Sequence, residues 1–126
     1  MSVSVKALLE TAHALVPRMT PDEARKHMAE SDALVVDVRD SHEVAQTGKV
    51  KGAINVSRGM IEFRADATTP FYEPAFRKER MILLYCASGG RSALVGKVLK
   101  DMGYGQVHNI GGFKDAAAAG LEIEPA

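Results

Sequence analysis

Met81-Ile82-Leu83-Leu84-Tyr85-Cys86-Ala87-Ser88-Gly89-Gly90-Arg91-Ser92 decides how this chain folds. Its first five residues are apolar without a break, which predicts a short strand buried on both faces. Two glycines then interrupt the pattern. From Ser92 to Met102 the spacing predicts a helix, with Ala93, Leu94, Val98 and Leu99 on its buried side. Gly103 stands where a helix C-terminal glycine belongs. A buried strand running through a glycine loop into a helix is the repeating unit of α/β folds.

The same alternation extends in both directions. Upstream, Ala33-Leu34-Val35-Val36-Asp37-Val38 predicts a buried strand, and Ser41 can cap a short helix through Ala45. Gly48 to Gly52 reads as a turn-rich loop, Ala53 to Val56 as a second short strand, and Gly59 to Phe63 as a helix. Residues 67–74, with two prolines, read as a loop. Downstream, Val107 to Ile110 predicts a strand, Gly111-Gly112 a turn, and the following residues a helix ended by Gly120. Thr20-Pro21-Asp22-Glu23 is a helix start, with a capping threonine, proline at the first helical position and a capping-box acid. Residues 1–16 form an N-terminal helical extension ended by Pro17, with Val5, Leu8, Leu9, Ala12, Leu15 and Val16 on one face. That face packs on its own domain in the plain reading and forms a dimer contact in the alternative. The expected architecture is a three-layer α/β/α domain over residues 17–126 with a mainly parallel central sheet.

Composition narrows the chemistry. Of 126 residues, 46% are hydrophobic and 25% charged, as in an ordinary globular domain with a full core. Sixteen basic residues balance sixteen acidic ones, so no general attraction to nucleic acid or anionic lipid is expected. A single cysteine excludes an internal disulfide, a CxxC redox pair and a cysteine-rich zinc site. The four histidines (His13, His27, His42 and His108) lack metal-ligand spacing, and no metal is expected. No apolar run has the length of a membrane span. The N-terminus lacks a signal-peptide pattern, so the expected location is the cytoplasm.

The loop 86–92 concentrates the functional signal. In open α/β sheets, ligands bind at the carboxyl ends of the strands. A loop that ends at a helix N-terminus points unpaired N–H groups outward, and Gly89-Gly90 lets successive N–H groups converge into a nest. Such a nest favours anions. An ordinary thiol ionises near about 8.5, and these donors lower that value. Cys86 is therefore the candidate nucleophile, with Ser88 and Ser92 as further donors; Arg91 adds a fixed charge if it points into the loop, and the sequence leaves open that it points away into a salt bridge. A lone cysteine at a strand end is often only a small buried hydrophobe. The combination with two glycines, an arginine and a helix start is what points to a reactive thiol.

These residues resemble a known family. Over roughly residues 18–122 the chain resembles the rhodanese-like single-domain sulfurtransferases. Asp37-Val38-Arg39 resembles the family's first signature and Gly52-Ala53-Ile54-Asn55-Val56 its G-A-x-N/H-V segment. Cys86 to Ser92 resembles the Cys-x4-Arg-Ser active loop, and Gly111-Gly112-Phe113 the late Gly-Gly-aromatic turn. Phe113 stands where tryptophan is frequent, and Ala116 where a second aromatic is common.

The resemblance implies covalent catalysis by Cys86 through a persulfide. The sulfur donor is a small anion such as thiosulfate, and the acceptor is a thiol, cyanide or a protein. Ala87, Ser88, Gly89, Gly90, Arg91 and Ser92 would bind the anion, and Arg58 would face the pocket. Asp37 and Arg39 would brace the loops. No cofactor is implied. A persulfide carrier or regulatory binding module is the alternative. A dual-specificity phosphatase or arsenate reductase is the other rival; such phosphatases place five residues between cysteine and arginine, where this chain has four.

Overall fold

The computed structural model describes residues 2–126. Its centre is a four-stranded parallel sheet in the order β3-β1-β4-β5, formed by β1 (Leu34–Asp37), β3 (Ile54–Asn55), β4 (Ile82–Cys86) and β5 (Val107–Gly112). The unbroken apolar run of the central strand follows from this position, because every residue of β4 is buried. Alternate side chains enter two different cores. Leu34, Val36, Ile82, Leu84 and Cys86 face a cluster completed by Val16, Ile61, Val95 and Leu99. Val35, Leu83 and Tyr85 face a second cluster with Ala24, Ile110, Phe113 and Ala116. Helices α1 (Val5–Leu15), α4 (Ile61–Arg64) and α5 (Gly90–Asp101) therefore cover one face, and α2 (Pro21–Glu30) and α6 (Phe113–Ala118) the other. This is a three-layer α/β/α arrangement.

Local signals explain most element starts. Thr20 and Glu23 cap α2 reciprocally: the Glu23 N–H donates to Thr20 Oγ1 at 3.2 Å and the Thr20 N–H to Glu23 Oε1 at 3.1 Å. Helix α3 (Ser41–Thr47) begins one residue earlier than a Ser41 cap implies. Its N-cap is Asp40, whose N–H donates to Glu43 Oε2 at 3.0 Å.

Three further features depart from the sequence reading. Gly111 and Gly112 are not a separate turn but the end of β5, where the pairing with β4 shifts register after Leu84. The extra residue, Ile110, is absorbed as a bulge. The loop 48–52 contains β2 (Lys49–Val50), which pairs antiparallel with β6 (Ile123–Glu124). Neither strand has a readable period, being two residues long. Finally, α5 starts at Gly90 rather than Ser92.

Chain segment 17–19 adds a further parallel edge beside β5. The Asn109 N–H donates to Pro17 O and the Met19 N–H to Asn109 O, at 3.0 and 3.1 Å. That edge draws α1 onto α5, where Val16 is buried against Gly96. A Cβ at Gly96 would come within 2.8 Å of both Val16 methyl groups. Gly96→Ala is therefore expected to destabilise the protein by about 1–3 kcal/mol through overpacking. Adding Val16→Ala should cost less in the Gly96→Ala background than in the wild type. Denaturant unfolding of the four proteins checks this, and strict additivity would contradict the contact.

Candidate active site

Cys86 is the last residue of β4 and is 1% exposed. Its side chain belongs to the core face that carries α5. Burial pushes the thiol pKa up, but the Ser92 hydroxyl and the N–H groups of Ser92, Ser88 and Gly89 pull it further down. The net direction is below the ordinary thiol value. The shortest of these contacts runs from the Gly89 N–H to Sγ at 3.0 Å. Donors from both sides of the Gly89-Gly90 pair thus meet one sulfur atom.

Two glycines make this geometry possible. Gly89 caps α5 with φ +101°, a left-handed conformation that turns its N–H back toward the sulfur. Gly112 lies directly against the loop: a Cβ there would come within 2.6 Å of Ala87 O. The glycine pair at the end of β5 is therefore a seat for the loop.

Asn109 holds the other side, and sequence reasoning missed it. It is fully buried on β5. Its Nδ2 donates to Gly89 O at 3.0 Å, and its Oδ1 accepts from the Gly111 N–H at 2.9 Å. Ser92 Oγ lies 2.8 Å from that same Oδ1 and 3.5 Å from Sγ. A second polar residue, following His108 in a short strand between Val107 and Ile110, was the available signal.

The Arg91 side chain takes the salt-bridge course of the two that the sequence leaves open. It does not turn its charge into the loop. Nη1 and Nη2 donate to Glu43 Oε2 and Oε1 at 2.8 and 2.9 Å, a bidentate pair between α5 and α3. A half-buried carboxylate within reach is a better partner than an open loop. Arg91 holds Glu43 down at about 2.

Asp37 and Arg39 lie at the end of β1, 0% and 3% exposed. The Arg39 Nη2 donates to Asp37 Oδ2 at 2.7 Å and to Gly48 O at 2.9 Å, and Nη1 donates to Thr47 Oγ1 at 2.9 Å. The guanidinium stacks 4.3 Å from the Phe113 ring centroid. Asn55, within the G-A-x-N segment, donates to Asp37 O and Arg39 O.

Arg58 is exposed on a 3-10 turn (Arg58–Met60), with its N–H bonded to Val38 O. It does not line the nearby cavity of about 330 Å³, which is bounded by Asp40, Ser41, Ser57, Met60 and Arg64. Arg64 does, while also meeting Glu73 at 3.4 Å. A second cavity of about 420 Å³ opens beside Ala87 and is lined by Glu43, Phe113 and Lys114.

Comparison with known proteins places this arrangement. Residues 20–119 match the rhodanese-like domain family. A sulfurtransferase of Allochromatium vinosum is 34% identical over 93 residues, covering 73% of this chain and 78% of that protein. The thiosulfate sulfurtransferase PspE of Escherichia coli is 33% identical over 82 residues, covering 65% and 72%. A solved Rhodopseudomonas palustris protein of unknown function, described as a possible tyrosine phosphatase, superposes with a TM-score of 0.89. It is 35% identical and covers 98% of this chain and 96% of its own. The chain belongs to the rhodanese-like family, whose sulfurtransferase members it resembles along most of its length.

Proposed function

We propose that this protein moves sulfane sulfur from a small anionic donor of the thiosulfate or persulfide type to a thiol or cyanide, carrying it on Cys86. The Gly89 N–H donating to Sγ at 3.0 Å, with the Ser92 hydroxyl beside it and the Ser88 and Ser92 N–H groups also lowering the thiol pKa, supports this reading most strongly. They favour a thiolate at neutral pH and suit an anionic group bonded to that sulfur.

The chemistry needs no cofactor. The Cys86 thiolate attacks the outer sulfur of thiosulfate, forming a new S–S bond. The old S–S bond breaks, and its electron pair leaves with sulfite. Cys86 then carries a persulfide anion. An acceptor thiolate attacks the outer sulfur, takes it as its own persulfide and returns Cys86 as thiolate; cyanide would leave as thiocyanate. Cys86 is the one cysteine of the chain, so the acceptor must be a separate molecule, small or protein. A reducing compartment such as the cytoplasm suits this cycle.

Arg91 acts in this scheme through position. Its pair with Glu43 ties the loop helix to α3. Direct charge on the donor falls instead to backbone donors. A phosphatase is the second reading, favoured by the description of the Rhodopseudomonas palustris relative. A phosphoryl group carries more charge than a persulfide, and the Glu43 carboxylate occupies the guanidinium that would meet it.

Three outcomes are expected. Intact mass after thiosulfate treatment without reductant should rise by one sulfur atom, reversibly with cyanide, and not in Cys86→Ser. Hydrolysis of p-nitrophenyl phosphate with no such gain would instead favour the phosphatase. The alkylation rate of Cys86 against pH should reach half its maximum below the ordinary thiol value of about 8.5; a midpoint above it would contradict the cradle.

The third outcome concerns Glu43, whose folded pKa is depressed from 4.5 to about 2. A depressed carboxylate contributes stability above its unfolded pKa and loses it as pH falls through the folded one. Glu43→Gln should therefore cost about 1 kcal/mol at pH 7, discounted for partial exposure. The difference from wild type should shrink between about pH 5 and pH 2, as thermal melts across that window would show. A difference that stays constant would contradict the pair's role.

A further inference from the structure

The Ser92 hydroxyl has one proton and three acceptors within reach: Asn109 Oδ1 at 2.8 Å, Gly89 O at 3.1 Å and Cys86 Sγ at 3.5 Å. The main chain decides which is served. Asn109 has no solvent contact, and its amide is held between Gly89 O and the Gly111 N–H. A carbonyl can only accept and an N–H can only donate. Turning the amide over would set NH2 against N–H and oxygen against oxygen. Oδ1 therefore faces Ser92 as an acceptor, and the hydroxyl proton lies in the shortest of the three contacts.

This assignment has a chemical consequence. With its proton on Asn109, Ser92 Oγ offers only lone pairs to the sulfur. It accepts from the protonated thiol and opposes the thiolate. When the thiol gives its proton to solvent, the hydroxyl must rotate to donate to Sγ. A bond to an ionised acceptor is about twice as strong as a neutral one, so rotation is favoured. Asn109 Oδ1 keeps the Gly111 N–H and is not orphaned.

We propose that Asn109 is a positioning residue that sets the ionisation of Cys86 by competing with its sulfur for the Ser92 proton. The competition raises the thiol's ionisation midpoint above the value it would have if Ser92 were free to serve the sulfur alone. The same rotor stabilises the Cys86 thiolate when an acceptor removes the outer sulfur. This consequence rests on the sulfur-transfer reading, whereas the competition itself is a property of the thiol.

Other charged groups lie on the elements around this end of the sheet. Arg91 of α5 is paired with Glu43 of α3, and Asp40 caps α3. Arg58 is on the 3-10 turn and Arg64 of α4 is paired with Glu73. Arg18 lies against Gly89 and Gly111. The Asp37–Arg39 pair closes the end of β1. All are common to the variants compared below, so their effects cancel in the differences.

The test is the pH profile of Cys86 alkylation by iodoacetamide in wild type, Asn109→Ala, Ser92→Ala and the double variant. No sulfur donor is involved, so the outcome is separable from the sulfur-transfer reading. Asn109→Ala should lower the midpoint by about half a pH unit, the scale of one hydrogen bond. Ser92→Ala should raise it. In the Ser92→Ala background, Asn109→Ala should leave it unmoved. An upward shift in Asn109→Ala, or the same shift in both backgrounds, would overturn the proposal. Should Asn109→Ala fail to fold, the Raman S–H stretch decides, since one cysteine gives one band. Below the midpoint the wild-type band should lie at lower wavenumber than in Ser92→Ala, because the wild-type thiol donates to Ser92 Oγ. Equal band positions would overturn it.

Discussion

A charged pair almost without solvent, Asp37 with Arg39, ties together the carboxyl end of the sheet. Burying two ions is costly, and the cost is offset only when every donor and acceptor finds a partner. The donors that satisfy this condition are what shape the site. Arg39 reaches the end of α3 through Thr47 and Gly48 and stacks on Phe113 at the start of α6. Asn55 binds the β1 end to β3. Three connections that would otherwise be independent loops are thereby held around the Cys86 loop.

Within that frame the active loop is held on both sides. Arg91 and Glu43 fasten it to α3, while Asn109 and Gly112 fasten it to β5. Two residues held by these anchors, Gly89 and Ser92, also meet the sulfur, so structure and reactivity are coupled. Ser92 shows this directly. Its hydroxyl belongs at once to the Asn109 network and to the thiol. A cradle assembled from backbone N–H groups needs no reorganisation when charge forms on the sulfur.

Much of this was legible before any coordinates. The apolar runs at 34–38 and 81–85 announced strands covered on both faces, and the four central strands follow the predicted order along the chain. The Thr20–Glu23 capping box and the Cys86–Ser92 loop are local features with strong signals. What escaped was short or relational. The β2 and β6 strands have two residues each and pair across 73 positions of sequence, from Val50 to Ile123. Asn109 carried only the anomaly of a polar residue in a buried strand. The direction of Arg91 stayed open because sequence shows its neighbours along the chain and not the Glu43 across from it.

Sequence alone determined the chemical inventory: one thiol, a glycine pair, a helix start after it, and a strand hydrophobic enough to bury both faces. Those properties depend on contacts within a few residues, so local spacing encodes them. Tertiary structure decided where charges and protons point. Arg91 turned to Glu43, Arg58 to solvent, and Ser92 to Asn109, because each of these outcomes depends on which distant segment the fold brings within hydrogen-bonding reach. Hydrogen bonds act over about 3 Å, and only the packed sheet places β5 and α3 that close to Ser92 and Arg91.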